Sequence, residues 1–123
     1  MSPESAARPV LTITIINEHN PEMTFRYPCI LDTGADHCIL PSSLSPLLGH
    51  DLKKGKLVEI GGIGGRISGW LHSNRIRFGK ESVKCDFYLC DNYNYWGLLG
   101  HCGFFSQYAV LFDTRKKWFE IYK

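Results

Sequence analysis

An aspartate closes the apolar run Ile30-Leu31-Asp32 and is followed at once by Thr33-Gly34, a pair suited to a tight turn. A carboxylate so placed is costly to desolvate unless a neighbour shares its charge or its proton. Two such groups, brought together from two lobes or two subunits, can hold one proton between them and activate water against a peptide bond. None of Asp36, Asp51, Asp86, Asp91 or Asp113 begins a second Asp-Thr-Gly or Asp-Ser-Gly. The chain therefore carries half of such a site. Alone, the tripeptide fits equally well an Asx turn that ends a strand, so the reading depends on the elements around it.

Those elements follow period two. Leu11, Ile13 and Ile15 alternate with Thr12 and Thr14, which predicts a first strand behind Arg8-Pro9. Residues 17–22 read as a loop, and Phe25, Tyr27, Cys29 and Leu31 share one face of the strand that delivers Asp32. Residues 41–48 predict a short helical turn closed by Gly49. Strands over 57–60 and 67–71 flank Gly61-Gly62-Ile63-Gly64-Gly65, a five-residue glycine-rich tip that must move or approach another backbone closely. Residues 75–78 and 83–89 form a further pair, and Leu98-Leu99-Gly100 is a short apolar strand with a glycine exit. One or two helical turns are expected over 103–108, then a hairpin over 110–121. The fold class is all-β, a small closed barrel-like sheet with one short helix near the C-terminus. A faint two-fold echo links Asp32 to Gly100, each preceded by two apolar residues.

The 123 residues, 44% hydrophobic and 21% charged, suit one domain and exclude two lobes. A leader over 1–8, or a cut point in a longer parent, precedes a domain over 9–123. The net charge of +2 and scattered basic residues argue against a dedicated nucleic-acid partner, and no apolar run approaches a membrane span. Five cysteines, an odd number without a CxxC pair, point to a reducing, cytoplasmic location. The glycines from Gly61 to Gly69 do not match a phosphate-binding loop. Trp70, Tyr93, Tyr95, Trp96 and Trp118 read as core and rim packing.

Asp32-Thr33-Gly34 after an apolar strand, the Ile60-Gly61-Gly62-Ile63-Gly64-Gly65 hairpin tip and Leu98-Leu99-Gly100 together resemble the retropepsin-like aspartic protease family, in particular its cellular members. The resemblance spans roughly residues 8–121. It implies a homodimeric endopeptidase in which Asp32 is contributed once per subunit. Thr33 would bond across the two-fold axis, and Gly34 would let substrate backbone approach. Ala35 stands where pepsin-type sites usually carry a hydroxyl, which implies work nearer neutral pH. Gly61, Gly62 and Ile63 would form a flap over the substrate. Asp36 and Ala35 would border the bound peptide, and Ile39, Ile63 and Leu98 would line apolar pockets.

His101 stands where retroviral members usually carry an arginine, so an Asp36–His101 ion pair is expected, lost as the histidine deprotonates. His37-Cys38 and His101-Cys102 supply zinc-type ligands, but adjacent residues of an extended segment point opposite ways. A packed Cys38–Cys102 thiol pair is expected instead, with no metal or organic cofactor. The rival reading is a non-catalytic module that uses the same fold to hold a peptide or to dimerise.

Overall fold

The computed structural model describes residues 9–62 and 65–123. The leader at 1–8 and the tip residue Ile63 lie outside the described residues. The strands are β1 (Val10–Ile16), β2 (Thr24–Leu31), β3 (Ile39–Pro41), β4 (Lys56–Gly62), β5 (Gly65–Phe78), β6 (Glu81–Cys90), β7 (Gly97–Leu99), β8 (Ala109–Asp113) and β9 (Trp118–Tyr122). One short helix, α1 (Ser45–Leu48), follows β3.

Alternation builds the barrel. In β1, Ile13 and Ile15 are fully buried, whereas the threonines between and before them turn outward. The strands pair in the order β1-β2-β7-β3-β6-β5, and β5 returns to β1 through Thr14↔Arg77 and Ile15↔Ile76. Six strands thus close on themselves, removing the open edges that a flat sheet would expose. β4 pairs with β5 alone and extends the sheet outside the closed ring. Inside lie Ile13, Ile15, Leu40, Phe87, Leu89 and Phe104, among others, each without exposure. Each such side chain contributes about 1.5–3 kcal/mol through burial.

The buried amide of Asn74 is fully satisfied. Its Nδ2 donates to the carbonyls of Ile16 (3.0 Å) and Leu48 (3.1 Å), and its Oδ1 lies 2.6 Å from His50 Nε2. It thereby joins α1 to the seam of the barrel. The helix itself ends where expected, at Gly49 with φ +82°, and a Cβ there would meet Asn17 Oδ1 at 2.5 Å. Only glycine fits both conditions.

Three expectations change. Strands predicted over 67–71 and 75–78 are one continuous β5, because Ser73 and Asn74, polar residues that look like a break, stay in register against Asp86 and Cys85. The glycine-rich tip is shorter than five residues, since pairing persists to Gly62↔Gly65. Residues 103–108 form hydrogen-bonded turns rather than a helix. Gly103 adopts φ +116°, and the Phe105 and Ser106 amides reach back five residues, to Gly100 and His101 (3.0 and 2.9 Å). The left-handed residue breaks the helical path, and burial of Phe104 and Tyr108 anchors the turns instead.

The β8–β9 hairpin packs Val110, Phe112, Phe119 and Ile121 against the core and leaves Leu111, Trp118 and Tyr122 exposed. Among the described residues, no helix is long and apolar enough to cross a membrane.

Candidate active site

β2 and β7 run parallel with Leu31 level with Leu99, so both strands release their chains at one end of the barrel. Just beyond, the Asp32 amide donates to the Leu99 carbonyl (3.1 Å), and the Leu31 amide donates to that of Pro9 (2.9 Å). The chain then turns. Asp32 Oδ1 accepts the Gly34 N–H (2.9 Å), and the Ala35 N–H donates to the Asp32 carbonyl (3.1 Å). The Asx turn admitted by the sequence therefore exists, and it aims the carboxylate. Among the described residues, Oδ2 has no partner. Asp32 is half-buried, while Thr33 and Gly34 are exposed.

The second loop braces the first. His101 and Cys102 donate their amides to the carbonyls of Ala35 (3.0 Å) and Asp36 (2.8 Å), and His37 and Cys102 form an isolated parallel bridge. Between them, Gly100 passes so close that a Cβ would sit 2.5 Å from the His37 carbonyl oxygen and 2.7 Å from that of Ala35. Glycine is required there by space. The expected Asp36–His101 ion pair is absent: the imidazole Nε2 lies 2.6 Å from the Thr33 carbonyl and acts there as a donor. A neutral carbonyl on the turn is nearer to the ring than the carboxylate, so the bond secures the Asp32 turn directly.

The expected pocket residues also converge in part. Ile39 and Leu98 are direct cross-strand partners, Ile39 buried and Leu98 half-buried. Gly61 and Gly62 end β4, opposite Arg66 and Gly65. The structure places these glycines on the free end of the β4–β5 hairpin.

A family model for the retroviral aspartyl protease matches residues 5–107. The chain belongs to the retroviral aspartyl protease family. Solved structures agree on the fold. EIAV protease complexed with the inhibitor HBY-793 aligns with a TM-score of 0.56 at 23% identity, covering 76% of this chain and 82% of that one. The retroviral protease-like domain of Ddi1 from Leishmania major reaches 0.65 at 14% identity, covering 94% and 88%. No curated protein matches the chain.

Two features of this family member escaped the sequence. Cys38 faces Cys85, Sγ to Sγ 3.8 Å, whereas Cys102 is exposed and contributes only its carbonyl. The Cys38–Cys102 thiol pair is thus corrected to Cys38–Cys85, because the residue entering β3 already accepts the Tyr88 amide of β6 (2.9 Å) and both thiols are buried. Cys38 Sγ also accepts the Gly100 N–H at 3.3 Å, so the thiol layer supports the loop from below. The hydrogen bond with Cys38, reinforced by burial, pushes the Cys85 thiol far up. The other feature is aromatic. Tyr95 and Trp96, expected as packing, are exposed and stacked at 6.1 Å just ahead of Leu98, braced by Tyr27 Oη on the Tyr95 carbonyl (3.1 Å) and Tyr93 Oη on that of Trp96 (2.6 Å). The run Tyr93–Trp96 immediately before an apolar strand was the available signal.

Proposed function

We propose that the chain is a homodimeric aspartic endopeptidase whose two Asp32 carboxylates meet across a two-fold axis and share one proton. One observation carries this reading. Asp32 stands half-buried with one oxygen held by its own turn, Thr33 and Gly34 are exposed beside it, and the matching loop at Gly100 offers no acid. A single chain therefore supplies one carboxylate where the chemistry needs two.

In this mechanism, one Asp32 takes a proton from water as the oxygen attacks the carbonyl carbon of the scissile bond. The other gives its proton to the carbonyl oxygen, which forms a neutral tetrahedral intermediate. The first then protonates the departing nitrogen as the C–N bond breaks, and the second recovers a proton from a hydroxyl. Thr33 would bond between subunits, and Gly34 and Ala35 would pass close to the peptide. The β4–β5 hairpin, with Gly61, Gly62 and Ile63, would close as a flap and exclude water. Ile39 and Leu98, extended by Tyr95 and Trp96, favour apolar or aromatic side chains beside the cleaved bond. Each added methylene in such pockets is worth about 1–3 kcal/mol, so selectivity is broad. Five unpaired thiols, four of them buried, support a reducing, cytoplasmic setting.

The test is cleavage of an apolar peptide by wild type and Asp32→Asn, with sedimentation and inhibition by a statine peptide in parallel. Turnover confined to the wild-type dimer supports the proposal. Equal turnover by both proteins removes Asp32 from the chemistry. A folded dimer that binds peptide but never cuts it makes the chain a binding module.

A further inference from the structure

The closed end of the barrel opposite Asp32 carries a concentration of positive charge on its outer face. Thr14 of β1 lies between Arg26 of β2 and Arg77 of β5, and Arg77 in turn faces Ser82 of β6. Two positions along β5, Arg75 faces Lys84. Residues facing each other across a sheet present their side chains on the same side, so three guanidinium groups and one ammonium share one surface. All four are exposed. Neighbouring strands are about 4.8 Å apart and alternate residues about 6.7 Å, so the cluster fits within one short peptide segment.

Like charges this close repel unless an anion joins them. Among the described residues, no carboxylate lies within ion-pair distance of Arg26, Arg75 or Arg77. The one side-chain hydrogen bond that these arginines make among the described residues is a long contact from Arg75 to the Ser82 hydroxyl (3.3 Å). Glu18 is engaged by Lys84 at 2.7 Å, Asp86, two positions from Lys84 on the same face, accepts the Ser73 hydroxyl, and among the described residues neither carboxylate pairs with an arginine of the cluster. An open groove of ≈ 390 Å³ runs between Pro21 and Glu18 on one side and Arg75, Arg77 and Lys84 on the other.

We propose that this face is a docking site for an acidic, extended segment of a partner protein, separate from the site of cleavage. The carboxylate of Glu18 is already seated on Lys84 at the groove edge and shows the ligand chemistry on a small scale. Its own ionisation is favoured by that lysine, which holds the Glu18 carboxyl below its usual range. The strand positions of this face named above carry threonine and serine between the cations, with Asp86 at one edge and no aromatic ring among them, so they offer no stacking platform for single-stranded nucleic acid. Guanidinium groups in a fixed array favour carboxylates through paired hydrogen bonds. Asp32 lies six residues from Arg26 along β2, about 20 Å away. A segment held here would leave the peptide-cutting end free.

The experiment is fluorescence anisotropy with a labelled oligoglutamate peptide, an oligoglutamine peptide of equal length, and a single-stranded oligonucleotide. It uses full-length Asp32→Asn protein, so the outcome is independent of hydrolysis. Oligoglutamate binds, oligoglutamine does not, and binding vanishes near 1 M salt, where the screening length falls to about 3 Å. Arg75→Glu/Arg77→Glu weakens oligoglutamate binding about tenfold or more, and Arg26→Glu, on a different strand, weakens it independently. Unchanged melting temperatures establish that both variants are folded. Absence of oligoglutamate binding, equal binding by both folded variants, or tighter binding of the oligonucleotide than of oligoglutamate overturns the proposal.

Discussion

β2 and β7 lie side by side, run in the same direction and stop at the same level, yet their continuations differ in kind. After Leu31 the chain turns on Asp32, exposes Thr33 and Gly34, and leaves one carboxylate oxygen unpartnered among the described residues. After Leu99 it runs into Gly100, buried and wedged against two carbonyl oxygens, and then gives its amides and the His101 ring to the first loop. One continuation presents chemistry and the other supplies support. A chain with two presenting loops would contain a complete carboxylate pair. In the mechanism proposed above, a second copy supplies the other acid.

The largest expected effect that sharpens this contrast is on the presenting loop. Asp32→Asn keeps an oxygen that can accept the Gly34 N–H, so the fold should stand, while peptide cleavage falls by about 10³-fold or more. Steady-state kinetics beside a urea titration separates the two readouts, and a joint loss of stability would break the distinction between presentation and support. The supporting loop should respond in the opposite way. Gly100→Ala drives a methyl group into the His37 and Ala35 carbonyls and should cost about 3 kcal/mol, read as a lower denaturation midpoint. Retention of full stability would mean that the two loops are not wedged together.

Beneath both strands, alkaline pH tests the thiol layer. Burial pushes Cys29 far up and Cys90 up to about 11. Both therefore stay protonated in the folded protein after they would ionise in the unfolded chain. The contribution of Cys90 is complete below the ordinary thiol value and is lost as pH rises from about 9 to about 11, while that of Cys29 goes on falling above it. Cys90 alone should lower the unfolding free energy by about 3 kcal/mol across that window, and Cys90→Ala should flatten the decline. The smallest effect belongs to the brace itself. His101→Ala removes the bond to the Thr33 carbonyl and should cost about 1 kcal/mol, visible in thermal melts.

Much of this was readable in the residues because period two survives in β1, over the first half of β2 and in most of β6, and because Asp-Thr-Gly suits a tight turn. Leu11 to Ile15 and Phe25 to Leu31 announce buried faces directly. What was hidden depends on register between segments distant in sequence. Cys38 meets Cys85 rather than Cys102 only because β3 lies beside β6, and no pattern within either strand records that. His101 chose a carbonyl over a carboxylate for reasons of reach, which residue types do not disclose. Asn74 looked like punctuation and proved to be core, since its three polar partners come from β1, α1 and the loop that follows the helix.

The ring is completed by two register pairs, Thr14↔Arg77 and Ile15↔Ile76, against ten between β5 and β6. Hairpins β1–β2 and β5–β6 join neighbours in the chain and can zip early, whereas this joint must bring together ends separated by most of the domain. Closure is therefore expected after the hairpins, as are the equally distant β2–β7 and β3–β7 joints of three and one register pairs. Amide hydrogens of Ile15 and Arg77 should exchange sooner than those in the middle of β6, so that the cylinder loosens at these joints while its hairpins persist.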